Sequence, residues 1–392
     1  AGAKNMTGGR LYSHALKAII PDFVSTAPIE RRVTRERISM ITESGITSLD
    51  YASTKLAQQG KDSYVVLRGV FDGWLMSQAQ AAGAKLLTST RVDDFVWKDG
   101  KVAGVIAAGK ELLADVVILA DGAGSLLVEK CGLRKEKVSA QHMAVGVKET
   151  IRLDEKTIED RFNLNAGDGM CWLFAGSPTD GKSGGGFIYT NKDSISLGIV
   201  VTLAEFERDG RCLNDLLEDF KQHPAIRPLI KDGKVTEYSG HMVPEGGIAM
   251  MPELFGDNVL VTGDAAGLVI NMGYTVHGMD LAIGSAACAA KAVIHAKKQG
   301  NYNKATLAKY KELMDESFVM QEMQQVKNFP SFMINTPRIF SGYPELVENA
   351  MANLFLVDDS APISLFKKIM TNIRYVGLFT ILKDAWKGVR SL

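Results

Sequence analysis

The sequence predicts an α/β plus α+β fold, in which a parallel sheet is interleaved with an antiparallel sheet and followed by a helical tail. Three observations predict it. Two apolar runs, Ala114–Ala120 and Val259–Thr262, each end in a glycine-containing turn, as buried strands of parallel sheets do. Between them lie short segments of alternating polarity, such as Ser194–Thr202, which are typical of antiparallel strands. Residues 301–392 carry helical patterns.

Length and composition limit the architecture and the kinds of partner. A chain of 392 residues exceeds one typical hydrophobic core, so two domains are expected. Lys and Arg balance Asp and Glu at 45 each, which gives no indication of a nucleic-acid partner. The cysteines lack C-x-x-C spacing, so neither a zinc site nor an iron–sulfur cluster is indicated. A reduced, cytoplasmic protein is the simplest interpretation, and no apolar run approaches the roughly 18 residues of a membrane span.

The segment up to Gly83 contains a glycine-rich loop, AGAKNMTGGRLY, and a helix from Arg68 that Gly83 ends. A cation beside a helix N-terminus is unfavourable unless an anion offsets it, which favours a phosphate ligand for Arg68 over a surface salt bridge. Earlier in the segment, arginines alternate with Glu30 and Glu36, and we interpret this pattern as a solvated face. These arginines are Arg31, Arg32, Arg35 and Arg37.

A β-meander is predicted from Lys85 to Ala120. Its Asp99-Gly100 pair is typical of a type I′ hairpin turn. The meander ends in the strand Ala114–Ala120, whose continuous apolar run indicates burial on both faces of a sheet. Asp121-Gly122-Ala123-Gly124-Ser125 follows as a turn at the carboxyl end of that strand.

The antiparallel sheet is predicted within residues 141–247. Its strands are Ala144–Ile151, Gly169–Phe174, Gly186–Thr190 and Ser194–Thr202. A helix, Leu213–Phe220, ends before Pro224. The run Gly184-Gly185-Gly186 fits either a phosphate loop or a bulge or sheet edge, and the lack of a following helix favours the bulge or edge.

The stretch from Asn258 to Ile283 is the most informative part of the chain. The strand Val259–Thr262 is followed by Gly263-Asp264-Ala265-Ala266-Gly267, whose short side chains let a backbone approach a flat or phosphorylated ligand. Asp264 is placed to accept hydrogen bonds from ligand hydroxyls. Gly278 then begins a long helix whose first N–H groups are unpaired. The alternative is an ordinary tight turn between a strand and a helix.

The end of the chain, Ile363–Leu392, combines apolar residues with an excess of basic ones. The basic residues are Lys367, Lys368, Arg374, Lys383, Lys387 and Arg390. Such a helix either lies on an anionic membrane or acidic partner, or packs on its own protein with a solvated basic edge, and the second interpretation is favoured.

The glycine motifs carry a family resemblance. Asp264-Ala-Ala-Gly after a strand resembles the second flavin-binding motif of FAD-dependent oxidoreductases of the aromatic hydroxylase and geranylgeranyl reductase type, and Asp121-Gly122 resembles the Asp-Gly motif of that superfamily. Phe340–Leu346 and the segment from Leu354 to Asp359 resemble the FixC-type branch, which is related to electron transfer flavoprotein–quinone oxidoreductase. The resemblance implies an incomplete Rossmann-like FAD-binding domain interleaved with an antiparallel-sheet substrate domain. The implied boundaries are 1–140 and 248–300 for FAD binding, 141–247 for the sheet and 301–392 for the tail.

The resemblance also implies which residues contact FAD. They are Met6, Thr7, Gly9, Arg68, Val92, Asp121, Gly122, Gly263, Asp264, Gly267, Gly278 and Met279. Because the isoalloxazine carries the chemistry of such enzymes, we assign no catalytic acid, base or nucleophile. His241 and His277 lie near these motifs, and structural hydrogen bonding is favoured over catalysis for both.

In the family, a first β-α-β unit holds the FAD pyrophosphate, and no G-x-G-x-x-G follows a strand here. We therefore expect the chain to begin after such a unit, about 30 to 40 residues into a longer protein. The resemblance implies electron transfer from an electron transfer flavoprotein to a quinone or a separate ferredoxin-like protein. Two alternatives are an FAD-dependent prenyl reductase or hydroxylase of small apolar substrates, and a truncated, non-catalytic chain without FAD. Peripheral attachment to the inner face of a membrane through the basic helix stays open.

Overall fold

The computed structural model describes residues 9–206, 210–357, 364, 367–368, 373 and 376–392. They form two compact units. The first, here called the motif unit, contains residues up to Ile29, Val66–Met143 and Met242–Lys327. The second, the sheet unit, contains Glu30–Val65, Ala144–His241 and the described residues from Asn328 onward. The predicted fold class, with interleaved α/β and antiparallel parts and a helical C-terminal region, is confirmed.

The motif unit is built from short strands and from helices that cover them. Its strands are Arg10–Tyr12, Val92–Lys98, Lys101–Ala107, Lys110–Leu113, Val117–Leu119, Phe255–Gly256, Val259–Val261, Ile270–Asn271 and Val276–His277. Its α-helices are Ser13–Lys17, Phe23–Thr26, Arg68–Ala81, Leu126–Lys130, Met279–Gln299, Lys304–Leu307, Lys309–Glu316 and Phe318–Gln325, and its 3-10 helices are Ala140–His142, Gly247–Met250 and Gly263–Ala266.

The parallel sheet of the motif unit has three strands. Val259–Val261 lies in the middle, parallel to Val117–Leu119 and antiparallel to Phe255–Gly256. The prediction that the run ending at Ala120 is buried on both faces is wrong, because Ile118 is 44% exposed whereas Leu260 of the middle strand is fully buried. Position in the sheet decides this difference: the middle strand is covered, and among the described residues Val117–Leu119 is an edge strand.

The β-meander is confirmed as a separate three-stranded sheet of Val92–Lys98, Lys101–Ala107 and Lys110–Leu113. Asp99 and Gly100 both have positive φ, 51° and 73°, as a type I′ turn requires. The third strand, Lys110–Leu113, returns the chain to the parallel sheet.

The long helix Met279–Gln299 begins after Gly278 and ends at Gly300, whose φ is 61°. By length and composition alone this helix meets the criteria for a membrane span, so the statement that no apolar run approaches that length is wrong. Alanine recurs along this helix, and Leu281, Cys288 and Ala289 are among the residues buried in the core of the motif unit. A soluble core helix satisfies the same criteria.

The sheet unit is organised around one large sheet with helices packed on it. Its strands are Ile29–Ile41, Ile46–Ala52, Ser63–Val66, Met143–Arg152, Asp168–Gly176, Gly184–Thr190, Ser194–Thr202 and Lys234–Pro244. Its α-helices are Glu155–Phe162, Leu203–Phe206, Leu213–Gln222, Arg227–Ile230, Phe329–Ile334, Gly342–Phe355 and Leu378–Ser391, and its 3-10 helices are Thr54–Ala57, Ser177–Thr179 and Pro337–Ile339.

Residues 30–65, placed by the sequence boundaries in the first part of the FAD-binding domain, lie in the sheet unit. The long strand Ile29–Ile41 pairs in parallel with Asp168–Gly176 and antiparallel with Ile46–Ala52. Pairing on both sides of this strand holds the segment in the sheet unit. The sequence analysis predicted no strand here, because charged residues follow one another along both faces of Ile29–Ile41.

Two interpretations within the sheet unit are corrected by the structure. Arg31 does not belong to a solvated face, since it is 1% exposed and donates hydrogen bonds inside the unit. The run Gly184–Gly186 is neither a bulge nor a sheet edge. It lies in the strand Gly184–Thr190, which pairs in regular register with strands on both sides. Backbone contact explains two of its glycines, because a Cβ at Gly184 would lie 2.0 Å from Val200 O and a Cβ at Gly185 would lie 2.5 Å from Phe174 O.

The C-terminal helix Leu378–Ser391 is anchored by a buried acidic residue. Asp384, 4% exposed, accepts two hydrogen bonds of 3.0 Å from the Arg338 guanidinium and one of 2.7 Å from Tyr343 Oη. Burial and the neighbouring Asp384 carboxylate raise the pKa of Tyr343 to about 12, so the phenol donates as a neutral group. One side of the helix is thus fixed to the protein.

Candidate functional site

The first element of the site is the turn after the buried strand Val259–Val261. The chain passes into the 3-10 helix Gly263–Ala266 and leaves it at Gly267, with φ values of 62° at Gly263 and 76° at Gly267. Both values lie in the left-handed region, which glycine adopts without strain. The run of short side chains therefore has a conformational reason as well as a steric one.

Side chains outside the motif fix this turn. Ser285 Oγ lies 2.6 Å from Thr262 Oγ1 and accepts a 3.2 Å hydrogen bond from Gly263 N, which ties the turn to the helix Met279–Gln299. Tyr310 Oη donates to Val261 O at 2.9 Å, and burial raises the pKa of this phenol. The sequence analysis missed Ser285 and Tyr310, since neither belongs to a local motif.

Arg134 provides a further support that the sequence analysis missed. Its guanidinium donates to Met250 O at 2.8 Å and to Ala265 O at 3.3 Å. Burial lowers the pKa of this side chain. Arg134 therefore bridges the two 3-10 helices Gly247–Met250 and Gly263–Ala266 and stabilises the turn.

The second element is the N-terminus of the helix Met279–Gln299. Gly278 precedes it, and a Cβ at Gly278 would lie 3.1 Å from Val269 Cγ2, so the helix begins directly against the segment that leaves the turn. The first N–H groups of a helix lack intrahelical partners and carry the positive end of its dipole. The turn residues Gly263, Ala265 and Ala266 are buried, whereas Asp264 between them is half-buried.

The third element is the Asp121-Gly122 turn. It follows Val117–Leu119, the parallel neighbour of Val259–Val261, so both glycine turns leave the same edge of the sheet. Thr262 N donates to Leu119 O at 3.0 Å and joins the two strand ends. Asp121 Oδ2 accepts a 3.1 Å hydrogen bond from Leu127 N, and Gly122 has φ of 77°. Ligands of open α/β sheets bind at this carboxyl edge.

The remaining predicted FAD contacts lie elsewhere. Arg68 forms a two-point ion pair with Asp72 one helical turn on, with Nε–Oδ1 of 2.6 Å and Nη2–Oδ2 of 2.9 Å, so a protein carboxylate supplies the anion that the sequence argument sought in a phosphate. Val92 pairs with Ala107 in the meander, and Gly9 is buried. Met6 and Thr7 lie outside the described residues. A role in FAD binding stays a prediction for all of the sequence-predicted residues.

A half-buried glutamate lies in the same unit. Glu245 Oε1 accepts a 3.0 Å hydrogen bond from Asn271 Nδ2, and its backbone N donates to His142 O at 2.8 Å. Desolvation raises the pKa of the Glu245 carboxyl, and the hydrogen bond from Asn271 opposes that effect. Asn271 belongs to the hairpin of Ile270–Asn271 and Val276–His277, which leads into Gly278. The sequence pattern of this hairpin, only two residues per strand, was too short to predict.

Two glycine turns and a glycine-led helix at the carboxyl edge of a parallel sheet fit a nucleotide cofactor. Accordingly, residues 71–292 match the FAD dependent oxidoreductase family, and residues 329–392 match the ETF-QO/FixC family C-terminal domain. Protein FixC of Salmonella typhimurium is 50% identical over 392 residues, covering 100% of this chain and 91% of the relative. The probable electron transfer flavoprotein-quinone oxidoreductase YdiS of Escherichia coli shows the same identity and coverage.

The chain therefore belongs to the FixC family of FAD-dependent oxidoreductases, and its cofactor is FAD. Among solved structures, a geranylgeranyl bacteriochlorophyll reductase-like protein from Thermoplasma acidophilum has the same fold. It superposes with a TM-score of 0.70 at 20% identity, covering 98% of this chain and 90% of that one. The predicted family, enzyme class and cofactor are confirmed. The left-handed glycines, Asp264 and the helix N-terminus fit the ribityl and ring portion of such a cofactor.

Proposed function

We propose that this protein takes electrons from an electron transfer flavoprotein and passes them to a quinone or a ferredoxin-like protein. The observation that carries the proposal is the match of residues 329–392 to the ETF-QO/FixC C-terminal domain, together with a half-identical relative named a probable electron transfer flavoprotein-quinone oxidoreductase. FAD, when bound, supplies the electron-accepting and electron-donating chemistry. The protein supplies the position of the cofactor and access to it.

The residues of the site have distinct tasks in this proposal. Asp264, held in a turn that Ser285 and Tyr310 fix, accepts hydrogen bonds from the ribityl hydroxyls. The N–H groups at Gly278 and Met279 favour negative charge at the ring, because they lie at the positive end of a long helix dipole. Because the turn is preorganised by these contacts, FAD binding would need little ordering of the protein.

The test of this proposal compares electron donors and acceptors for the FAD-reconstituted protein. Reduced electron transfer flavoprotein is expected to bleach the flavin absorbance, and a soluble quinone or a ferredoxin is expected to restore it. Asp264→Ala is expected to weaken FAD binding at least about tenfold, the value of one lost hydrogen bond to a ligand. Asp115→Ala is the matched control, because Asp115 is exposed beside the neighbouring strand.

Two outcomes contradict the proposal. Flavin that NAD(P)H reduces and electron transfer flavoprotein does not would favour the prenyl reductase or hydroxylase alternative. Equal FAD affinity in Asp264→Ala and Asp115→Ala would remove Asp264 from the cofactor site.

We also propose that this otherwise cytoplasmic protein attaches peripherally to the inner face of the membrane through the helix Leu378–Ser391. Large apolar residues recur along one side of this helix at helical spacing. They are Phe379, Leu382, Trp386 and Val389, exposed by 89%, 57%, 64% and 71%. Lys383, Lys387 and Arg390 flank them, and the Arg390 guanidinium lies 5.5 Å from the Trp386 ring centroid. An apolar stripe flanked by cations supports binding to anionic lipid.

Vesicle sedimentation tests this attachment. Vesicles containing phosphatidylglycerol are expected to retain the protein better than neutral vesicles, and added salt is expected to release it. Trp386→Ser is expected to weaken retention about tenfold by removing apolar burial. Leu49→Ser is the control, since Leu49 is 71% exposed on a strand outside this helix. Retention that is equal on neutral vesicles and unchanged by Trp386→Ser would refute a docking role for the helix.

A further inference from the structure

His277 and Asp280 form a hydrogen-bonded pair at the start of the helix Met279–Gln299. His277 Nδ1 lies 3.0 Å and 2.9 Å from the two carboxylate oxygens of Asp280, and the side chains are 9% and 2% exposed. Because a carboxylate only accepts hydrogen bonds, this contact assigns the hydrogen to Nδ1. The pair therefore fixes the ring orientation and leaves Nε2 as the atom where a proton is bound or released.

The titratable and charged groups around the pair come from the N-terminal segment and from the helix Phe318–Gln325. They are Arg10, Tyr12, His14 and Glu322. His14 Nε2 lies 3.8 Å from Asp280, so two imidazoles share one buried carboxylate. Glu322 Oε2 lies 3.8 Å from His277 Nε2. The Tyr12 and His277 rings pack edge to face with their centroids 5.2 Å apart. The Arg10 guanidinium lies 4.4 Å from the centroid of the Tyr12 ring.

This geometry has a chemical consequence at Nε2. A proton bound there leaves the ring between the carboxylates of Asp280 and Glu322, which offset the charge. Helix capping alone does not call for such a pair, because Ser, Thr or Asn at the N-cap would satisfy the first N–H groups, whereas Gly278 occupies that position. His277 also directly precedes Gly278 and Met279, where the proposed function places the flavin ring.

We propose that His277, oriented by Asp280, is a positioning residue that couples proton uptake to reduction of the bound flavin. Bound FAD would take two electrons from the donor, which is oxidised, and one proton from water, and would then carry one negative charge; a second proton taken from water by His277 Nε2 would offset that charge beside the helix start. Transfer of the two electrons to the acceptor would release both protons to water, so no other bond would be made or broken in the protein. The inference rests on the proposed function for the location of the flavin and for the direction of electron flow.

The decisive measurement is the midpoint potential of the FAD-loaded protein across a pH range of about 5.5 to 8.5. His277→Gln is expected to weaken the binding of reduced relative to oxidised FAD about tenfold at the acidic end, a fall of about 30 mV for a two-electron couple. The difference should shrink toward alkaline pH. His295→Gln, on the same helix away from its start, is the control and is expected to leave the potential unchanged.

Two further measurements keep the inference separable from folding defects and from the proposed donor. Glu322→Gln removes the carboxylate facing Nε2 on a side chain that is 40% exposed, and it is expected to lower the potential in the same direction. In protein without FAD, the imidazole ¹⁵N resonances of His277 should show hydrogen on Nδ1, and Asp280→Asn should change that pattern. Unchanged potentials in both His277→Gln and Glu322→Gln would overturn the inference. A shifted potential without reduction by electron transfer flavoprotein would overturn only the proposed donor.

Discussion

Replacing Arg31 with methionine is expected to lower the free energy of unfolding of the sheet unit by about 3–5 kcal/mol. The Arg31 side chain is fully buried, and its guanidinium donates to Asn191 O at 2.7 Å, to Lys192 O and Asp168 O at 3.0 Å, and to Glu159 Oε1 at 3.0 Å. Methionine has a similar length but no donors. The carbonyl of the fully buried Asn191 would lose this donor, as would the carbonyls of Asp168 and Lys192, and an unsatisfied buried group costs about 1–3 kcal/mol.

Urea denaturation followed by tryptophan fluorescence measures this loss, because Trp172 lies in the core of the sheet unit. Arg35→Met is the matched control on the same strand. Arg35 is paired with Asp50 near the surface, and Arg37 still pairs with Asp50 after the change. A partly exposed ion pair with a remaining partner contributes at most about 1 kcal/mol. Equal shifts in the two variants would show that burial of Arg31 contributes nothing specific.

Arg31 also shows why part of the fold was not predictable from sequence. Alternating Arg and Glu along Glu30–Arg37 has the same local pattern on a solvated face and in a buried network. The acceptor that decides between them, Asn191 O, is 160 residues away along the chain. The local sequence contains no information about that contact. The pairing of the strand Ile29–Ile41 with its parallel neighbour Asp168–Gly176 was therefore not predicted.

The candidate site was likewise predictable only where its features depend on residues adjacent in sequence. Its turns, glycines and helix start were predictable, because left-handed backbone and helix caps are specified by residues adjacent in sequence. The supports were not, because Ser285, Tyr310 and Arg134 reach the turn only through tertiary packing. Arg68 is a different case: its anion is Asp72 on the next helical turn, and this i, i+4 spacing, which the phosphate interpretation did not consider, was visible in the sequence.

Replacing Gly184 with alanine is expected to destabilise the sheet unit by about 3 kcal/mol or more, through two separable effects. Gly184 has φ of 149°, a conformation that costs other residues about 1–3 kcal/mol. The new Cβ would also lie 2.0 Å from the carbonyl oxygen of Val200, a backbone atom of the paired strand that has no rotamer through which to move away. Relieving such a contact displaces the strand, at a cost typical of overpacking, about 1–3 kcal/mol.

Gly167→Ala isolates the first effect from the second. Gly167 has φ of 77°, and no heavy atom lies within 4 Å of the position of its Cβ, so only the backbone term of about 1–2 kcal/mol applies. Urea midpoints of both variants, measured with an unchanged m-value, give the comparison directly. A larger loss in Gly184→Ala means that the glycine run exists for close strand pairing, since a phosphate loop would tolerate alanine in the absence of its ligand. Equal losses would mean that the sheet yields at this position, and the contact with Val200 would then explain nothing about why glycine is there.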